Sequence, residues 1–572
     1  EGSPYEMGFL LGIMAEPEVS VMADTYVENV IPDFFDITFD PNSKIIQHIQ
    51  EILVEILGEA TEKMEKDIPP ELISELVGIA RGCELVNPHT KVKLKALKCL
   101  NFGIDYLVSH IYTGEIFQQK KRKVPPQILK VPVMCNAISL TGDRVEDNKH
   151  FFGRDFMFPT AGVFQDVACL TMYNPIDCQS TGPGDKQYQW LSVLSQTAPG
   201  FVGSIAAMNE RGVAMGVDML PGSLCNSERP GLNSLLLVRY ATHVSRDIDQ
   251  VVDTVRNVQR GVSWLYPVAD GKKKRACIIE AGANTGNAPF DYFKHIPKEY
   301  LKYLPDKDYF EKMRKKYNIP EPRKGMMVRW DDYTYPVEFI NDFNKKIWKA
   351  YHKNIRMKIV SLIFNFISFI FDCLGTVIKD IRKLPKVMCQ FLKQICRIMF
   401  RRVPYKQEYF SPYSFIDKTW KKRNCPGPFY FAPQRETDKN ILIASNHYVT
   451  PEMRMTGMTD WITILEQEEL DEFQWRYDEM NWIIHKYMQE ERKITQQDAQ
   501  DIIDFLRPTP DHKFCTICRK FYNPTMKCDP KTIPITGSVS LFELTEMKMR
   551  SHFGYYGDEW VEVNFPQYLK HL

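Results

Sequence analysis

Cys135 is the residue whose type and position most directly offer chemistry. It heads the stretch Val131 to Phe158, VPVMCNAISLTGDRVEDNKHFFGRDFMF, which predicts a β-hairpin. Asn136 to Leu140 mixes apolar and small polar residues, Thr141 to Lys149 is charged and turn-rich, and His150 to Phe158 is again strand-like and aromatic. The returning strand carries Arg154 and Asp155, a cation and a carboxylate led back alongside the thiol. A thiol needs a base to act as a nucleophile, and an N-terminal residue carries one on itself, an α-amino group that titrates at about 7.7–8.0. Cys135 gains that base only if the bond Met134–Cys135 is cut, so these two residues form the expected self-cleavage site.

Several stretches occur in an order that resembles one family. Cys135-Asn136-Ala137 is followed after the turn by Gly153-Arg154-Asp155-Phe156. Ahead of them stand Gly2-Ser3-Pro4-Tyr5-Glu6-Met7-Gly8 and Glu75-Leu76-Val77-Gly78-Ile79-Ala80-Arg81-Gly82. Behind them come Met208-Asn209-Glu210-Arg211-Gly212-Val213, Ser445-Asn446-His447 and Thr536-Gly537-Ser538-Val539-Ser540. Together they resemble the isopenicillin-N acyltransferase-like family of N-terminal nucleophile cysteine hydrolases, with choloylglycine hydrolase and acid ceramidase as more distant relatives.

The resemblance implies an α+β fold, the four-layer αββα sandwich, carrying here a helical insertion. It implies a self-cleaving cysteine amidohydrolase or acyltransferase acting on a carbon–nitrogen amide bond, with neither cofactor nor metal. By the same carry-over Cys135 is the nucleophile, Arg154 and Asp155 orient the amine or the substrate, and Asn209 and Asn446 hold the oxyanion. His447 is expected to be structural or substrate-lining. One departure stands out: where many relatives carry a catalytic Asp three residues after the Arg, this chain has Met157. Asp155 is expected to take that role, the alternative being an inactive, membrane-associated scaffold of the same fold.

Composition bounds these readings. With 572 residues, 44% apolar, the chain is long enough for a large core. A net charge of +1 by itself argues for neither a nucleic-acid partner nor an acidic substrate, and no nucleic-acid partner is expected. Fourteen cysteines in this length are not a disulfide scaffold, and Cys515-Thr516-Ile517-Cys518 with Cys528 and His512 falls short of a four-ligand set, which leaves small buried residues or a local disulfide as the plainer reading. Glu1 opens inside a motif, so an initiator Met and any signal peptide are expected to have been removed.

The elements that position the site follow in four expected segments. Residues 1–134 are helical and become the shorter fragment after cleavage, released or retained; Ser43 to Gly82 and Lys91 to Thr113 carry the helical spacing, with Pro69-Pro70 opening one helix. Residues 135–289 form the first part of the core, with Val167 to Tyr173 and Gln189 to Ser195 as strands. Two short strands then flank an Asn-Glu-Arg-Gly turn, Leu235 to Tyr240 reads as strand, Ile248 to Val258 as helix, and Cys277 to Glu280 as strand. Residues 429–572 complete the core with the strand Asn440 to Ala444, helices at Trp475 to Glu490 and Thr495 to Phe505, and a closing strand from Ile533 to Phe542.

Residues 290–428 are the insertion. Lys345 to Arg402 holds fourteen Lys or Arg against Asp372 and Asp380, a net of +12 that leaves the rest of the chain at −11. Ile359 to Ile378 predicts an apolar helix with a thin polar stripe, and a basic amphipathic helix follows Pro385. Ile359, Phe364, Phe369 and Phe391, with Lys393 and Arg397, are the expected contacts of a peripheral membrane helix, each surface Lys or Arg adding about 1 kcal/mol on an anionic membrane. A lipid-like acyl amide is therefore the expected substrate, with a phospholipase-type ester cleavage open to the same thiol.

Overall fold

In the computed structural model the described residues are 1–26, 30, 57–112, 134–158, 160–181, 187–220, 222, 224–287, 308–334, 336, 338–339, 342, 363, 366–367, 369–370, 373, 385, 388–389, 440–454, 476–477, 480–481, 483–505, 535 and 537–569. They fall into two units. The first comprises Glu1–Ile296, Glu321–Thr334 and Arg435–Leu572, and the second Pro297–Pro320 and Tyr335–Gln434.

The expected hairpin is present. β1 (Met134–Leu140) pairs antiparallel with β2 (Phe151–Met157), so that Cys135 faces Phe156, Asn136 faces Asp155 and Ala137 faces Arg154. Further along the chain come β3 (Cys169–Tyr173), β4 (Gln179–Thr181), β5 (Gln187–Gln189), β6 (Val193–Thr197), β7 (Ala206–Asn209), β8 (Val213–Gly216), β9 (Asp218–Met219), β10 (Trp264–Asp270), β11 (Arg275–Ala281) and β12 (Met326–Trp330). The last are β13 (Ile441–Ser445), β14 (Gly537–Glu543), β15 (Lys548–His552) and β16 (Val561–Asn564). One sheet runs β13-β1-β2-β14-β15-β16, a second runs β12-β11-β10-β8-β7-β6-β3 with β9 on β10, and β4 pairs β5. Their strand pairs are antiparallel, which makes the fold α+β.

Among the helices are α1 (Pro4–Met14), α2 (Pro70–Val86), α3 (Leu94–Tyr112), α4 (Ser234–Val244), α5 (Ile248–Asn257) and α6 (Gln496–Ile503). α1 begins at a capping box in which Ser3 and Glu6 satisfy each other's backbone N–H, and α6 repeats the device with Thr495 and Asp498. Gly8 and Gly12 of α1 lie against Gly78 and Gly82 of α2 so closely that a Cβ at any of the four would collide with the facing backbone. The two motifs ahead of the nucleophile are therefore the two halves of one helix–helix seam. α4 and α5 lie on the second sheet and α6 on the first.

Leu235 to Tyr240 is a correction: it lies in helix α4, not in a strand. Asn233 caps that helix by accepting from Leu235 N and Leu236 N, and the apolar run buries Leu236, Leu237, Tyr240, Ala241 and Val244 at helical spacing. Gln189 to Ser195 is also corrected, since Trp190 and Leu191 donate to Cys178 and His243 carbonyls and split it between β5 and β6.

A single buried cluster gathers Tyr26, Leu72, Leu76, Leu100 and Tyr106 from the segment before Cys135 with Cys135 itself, Phe156, Met215, Trp264 and Ile279. The helical segment is thus part of the core that carries the nucleophile.

Candidate active site

The extended backbone of β1 places Cys135 between two neighbours, β2 and β13, and its three polar groups are all engaged. Its backbone N donates to Asn446 Oδ1 at 2.7 Å, its carbonyl accepts from Arg476 Nη1 at 2.9 Å, and its thiol meets the Met157 carbonyl at 3.6 Å. Asn446 directly follows β13, and its amide orientation is fixed by its partners. Oδ1 also accepts from Arg476 Nη2 at 2.8 Å, while Nδ2 donates to the Met219 carbonyl at 2.5 Å. The loop after β13 is tied to β11 through buried Glu280, which accepts from Val449 N at 3.0 Å, Thr450 N at 3.1 Å and Arg329 Nε at 3.4 Å.

The pleat separates the two charged residues of β2. Cross-strand partners share a face and alternate residues oppose it, so the Cys135 thiol lies on the face of Arg154, whereas Asp155 lies with Asn136 on the other. Asp155 Oδ2 accepts from Asn136 Nδ2 at 2.7 Å. Arg154 instead forms a fully buried ion pair with Asp218 and donates to the Val217 carbonyl, and Gly216 leaves the space its guanidinium occupies. Asp218 Oδ2 and Asp155 Oδ1 are buried without a hydrogen-bond partner among the described residues.

Burial dominates the electrostatics. It pushes the Cys135 thiol up to about 12, reinforced by the nearby Asp218 carboxylate and opposed by Arg154. Burial likewise raises Asp155 to about 7 against the pull of Asn136 and Arg476, and raises Asp218 against the pull of Arg154. In the uncleaved chain the thiol is therefore protonated near neutral pH and needs a base.

Of the residues expected from sequence, Cys135, Arg154, Asp155 and Asn446 come together around β1. Asn446 arrives as an acceptor for the Cys135 nitrogen, with its N–H turned to Met219, rather than as an oxyanion donor. Asn209 sits at the turn end of the β7–β8 hairpin. Its Nδ2 donates to the Thr242 and Ser245 carbonyls, and its Oδ1 accepts from Arg211 N and Val213 N. Its oxygen serves the turn, and its N–H groups tie that turn to the C-terminal end of α4. His447 packs edge-on against Tyr477.

Two residues escaped the sequence reading, Asp218 and Arg476. In the sequence, Asp218 directly follows the strand pattern that ends at Val217, and Arg476 stands at the start of the expected helix Trp475 to Glu490.

Cys515, Cys518, Cys528 and His512 lie outside the described residues, as do Ile359, Phe364, Phe391, Lys393 and Arg397. Phe369 is described and is half-buried. In the second unit Ile363, Phe366, Ile367 and Ile370 are helical and between 42% and 54% exposed. Among the described residues no helix is long and apolar enough to cross a membrane.

No family model matches the chain. A relative among curated proteins is an uncharacterized protein of Archaeoglobus fulgidus, 30% identical over 331 residues, covering 56% of this chain. The match takes in 50% of that protein, so this chain spans about half the length of that relative. Similar solved structures are two variants of the conjugated bile acid hydrolase from Clostridium perfringens, each covering 76% of this chain and 93% of its own. Their identities are 8% and 10% and their TM-scores 0.32 and 0.31, both short of what a shared fold gives.

Proposed function

We propose that this chain is a self-processing cysteine amidohydrolase or acyltransferase of the N-terminal nucleophile kind. The observation that carries the reading is the Cys135 nitrogen, held at 2.7 Å by Asn446 Oδ1 beside its own thiol. Once the bond to residue 134 is cut, that nitrogen becomes an α-amine already oriented by an acceptor. The two sheets, with α4 and α5 on one and α6 on the other, support the αββα layering.

Processing proceeds by attack of Cys135 Sγ on the carbonyl carbon of Met134. The acyl group moves from nitrogen to sulfur, and water then hydrolyses the thioester, leaving a carboxylate on Met134 and a free amine on Cys135. In turnover the amine takes the thiol proton, the thiolate adds to the substrate carbonyl, and the departing amine receives the proton. The resulting thioester passes its acyl group to water or to a second amine. An α-amine, which ordinarily titrates at about 7.7–8.0, supplies beside the thiol a nitrogen base that the uncleaved chain lacks there.

Arg476 fixes Asn446 and the Cys135 carbonyl, and the Arg154–Asp218 pair places a carboxylate close to the reacting thiol. Asp218 thereby takes the orienting role expected of Asp155. The exposed Ile363, Phe366, Ile367 and Ile370 share one helical face amid the +12 stretch, which supports peripheral contact with anionic lipid and an acyl amide substrate of lipid character.

The test is to incubate the processed protein with a decanoyl anilide, quench in acid and weigh the fragments. A decanoyl adduct on the fragment beginning at Cys135 is expected. Turnover with no adduct, unaffected by Cys135→Ala, overturns the reading.

A further inference from the structure

Processing has to begin before the α-amine exists. In the uncut chain the Cys135 nitrogen is an amide that donates to Asn446 Oδ1, and it offers no base. The thiol is fully buried and pushed up to about 12, so it keeps its proton until another group removes it. Two carboxylates act on it, those of Asp218 and Asp155. Asp155 lies on the opposite face of the sheet, hydrogen-bonded to Asn136, which leaves Asp218 on the side of the sulfur.

Asp218 opens β9, which lies against β1, and two ties hold it there. The next residue, Met219, accepts from Asn446 Nδ2 at 2.5 Å, and the same amide holds the Cys135 nitrogen through its oxygen. Arg154, on the face of the thiol, donates to the Asn136 carbonyl at 3.1 Å and pairs with Asp218. The carboxylate is thus tied to backbone atoms on both sides of the Cys135 side chain. Its Oδ1 serves Arg154, whereas its Oδ2 is buried without a hydrogen-bond partner among the described residues. An acceptor left unmet at that depth is costly, and the thiol is a donor at hand, its own contact with the Met157 carbonyl being long at 3.6 Å. The charged groups facing Asp218 are Arg154 from β2 and Arg476, while β10, its strand partner, sets the apolar Leu265 opposite it. Burial raises its affinity for a proton against both cations, which narrows the gap to the thiol.

We propose that Asp218 is the general base of self-processing. Its Oδ2 takes the proton of Cys135 Sγ as the sulfur bonds to the Met134 carbonyl carbon. It gives that proton to the Cys135 nitrogen as the carbon–nitrogen bond breaks, leaving a thioester and a neutral amine. The amine, once made, serves turnover, so one thiol uses two different bases in its two reactions. This assignment rests on Cys135 being the nucleophile and specifies how the first cut is made.

The test follows processing from its start. The full chain is kept unfolded and uncut in urea, diluted into buffers between about pH 5 and about pH 9, and the fragment beginning at Cys135 is followed by gel and mass. In the wild type the rate should climb as Asp218 loses its proton and level off once it is ionised. Asp218→Asn keeps an acceptor for Arg154 and removes the base, so processing should fall by about 10²–10⁴-fold. What remains should climb about tenfold per pH unit across the whole range, as for a thiol that must ionise unaided. Asp218→Glu should restore the level region. A purely structural role would slow Asp218→Asn by one factor at every pH and keep the level region. That result overturns the proposal, as does an Asp218→Asn chain that processes within about threefold of wild type. A wild-type rate that climbs about tenfold per unit throughout also overturns it, and this measurement decides even if the substituted chains fail to fold. A wild-type chain that never yields the fragment overturns the reading of Cys135 itself, whereas one that processes while Asp218→Asn keeps pace overturns only the role of Asp218.

Discussion

The two ends of the β7–β8 hairpin show how differently the same fold treats its buried polar groups. At the turn, Asn209 uses both amide hydrogens and its oxygen on four backbone partners, two in the turn and two at the C-terminal end of α4. At the far end, beyond Gly216, Asp218 pairs with Arg154 across to the sheet that carries Cys135 and keeps one carboxylate oxygen unpartnered among the described residues. The first arrangement is finished, and holds a turn in shape. The second leaves charge and an acceptor beside a thiol, which is what a reaction uses. Residue type alone favoured the asparagine; the partners reverse that preference.

Removing Asp218 should produce the largest effect. Asp218→Ala strands Arg154 as a buried charge, and losses of about 3–5 kcal/mol follow from breaking such pairs. Urea unfolding should report that loss, and if stability is unchanged the pair is not formed. Asn446→Ala removes the acceptor that orients the Cys135 nitrogen, and turnover should fall about 10²-fold or more, the scale for misplacing a reacting group. Asn209→Ala should do the opposite, costing about 1–3 kcal/mol of stability through its unsatisfied partners. Its turnover per folded molecule should stay within about twofold of wild type. Equal kinetic damage from the two asparagine variants would erase the contrast.

A pH series sharpens the same comparison with a smaller effect. Burial holds Asp155 up at about 7, whereas in the unfolded chain it titrates at about 3.9. Between those values the folded protein keeps a proton that the unfolded chain has lost, so this group's stabilising share declines as pH rises from about 4 to about 7, then levels off. Asp105, held up at about 7 by its own burial, adds a decline of the same sign. Urea midpoints across that window should fall, and Asp155→Asn should flatten part of the slope. A slope unaltered by the substitution would mean that Asp155 is not buried as described.

Much of the scaffold was legible because it is written locally. The alternation around Cys135, Pro69-Pro70 ahead of α2 and the Thr495–Asp498 box of α6 each signal an element within a few residues. α4 misled because a buried helix and a buried strand share an apolar composition, and its start depends on Asn233 together with Asp105 from 129 residues away. Arg154 and Asp155 illustrate the same limit in the site. Adjacent in sequence, they are separated by the pleat, while Asp218, 64 positions from Arg154, is its real partner. The glycines of α1 and α2 were visible as motifs, but only their contact shows that they serve packing rather than chemistry.

The central claim is that Cys135 becomes an N-terminal residue, and N-terminal sequencing with intact-mass measurement of the purified full chain tests it most directly. Two fragments are predicted, one of them beginning Cys-Asn-Ala-Ile-Ser, still associated until denaturant is added, with Cys135→Ala remaining whole. A wild-type protein that hydrolyses acyl amides at full rate while remaining a single uncut chain would contradict the account.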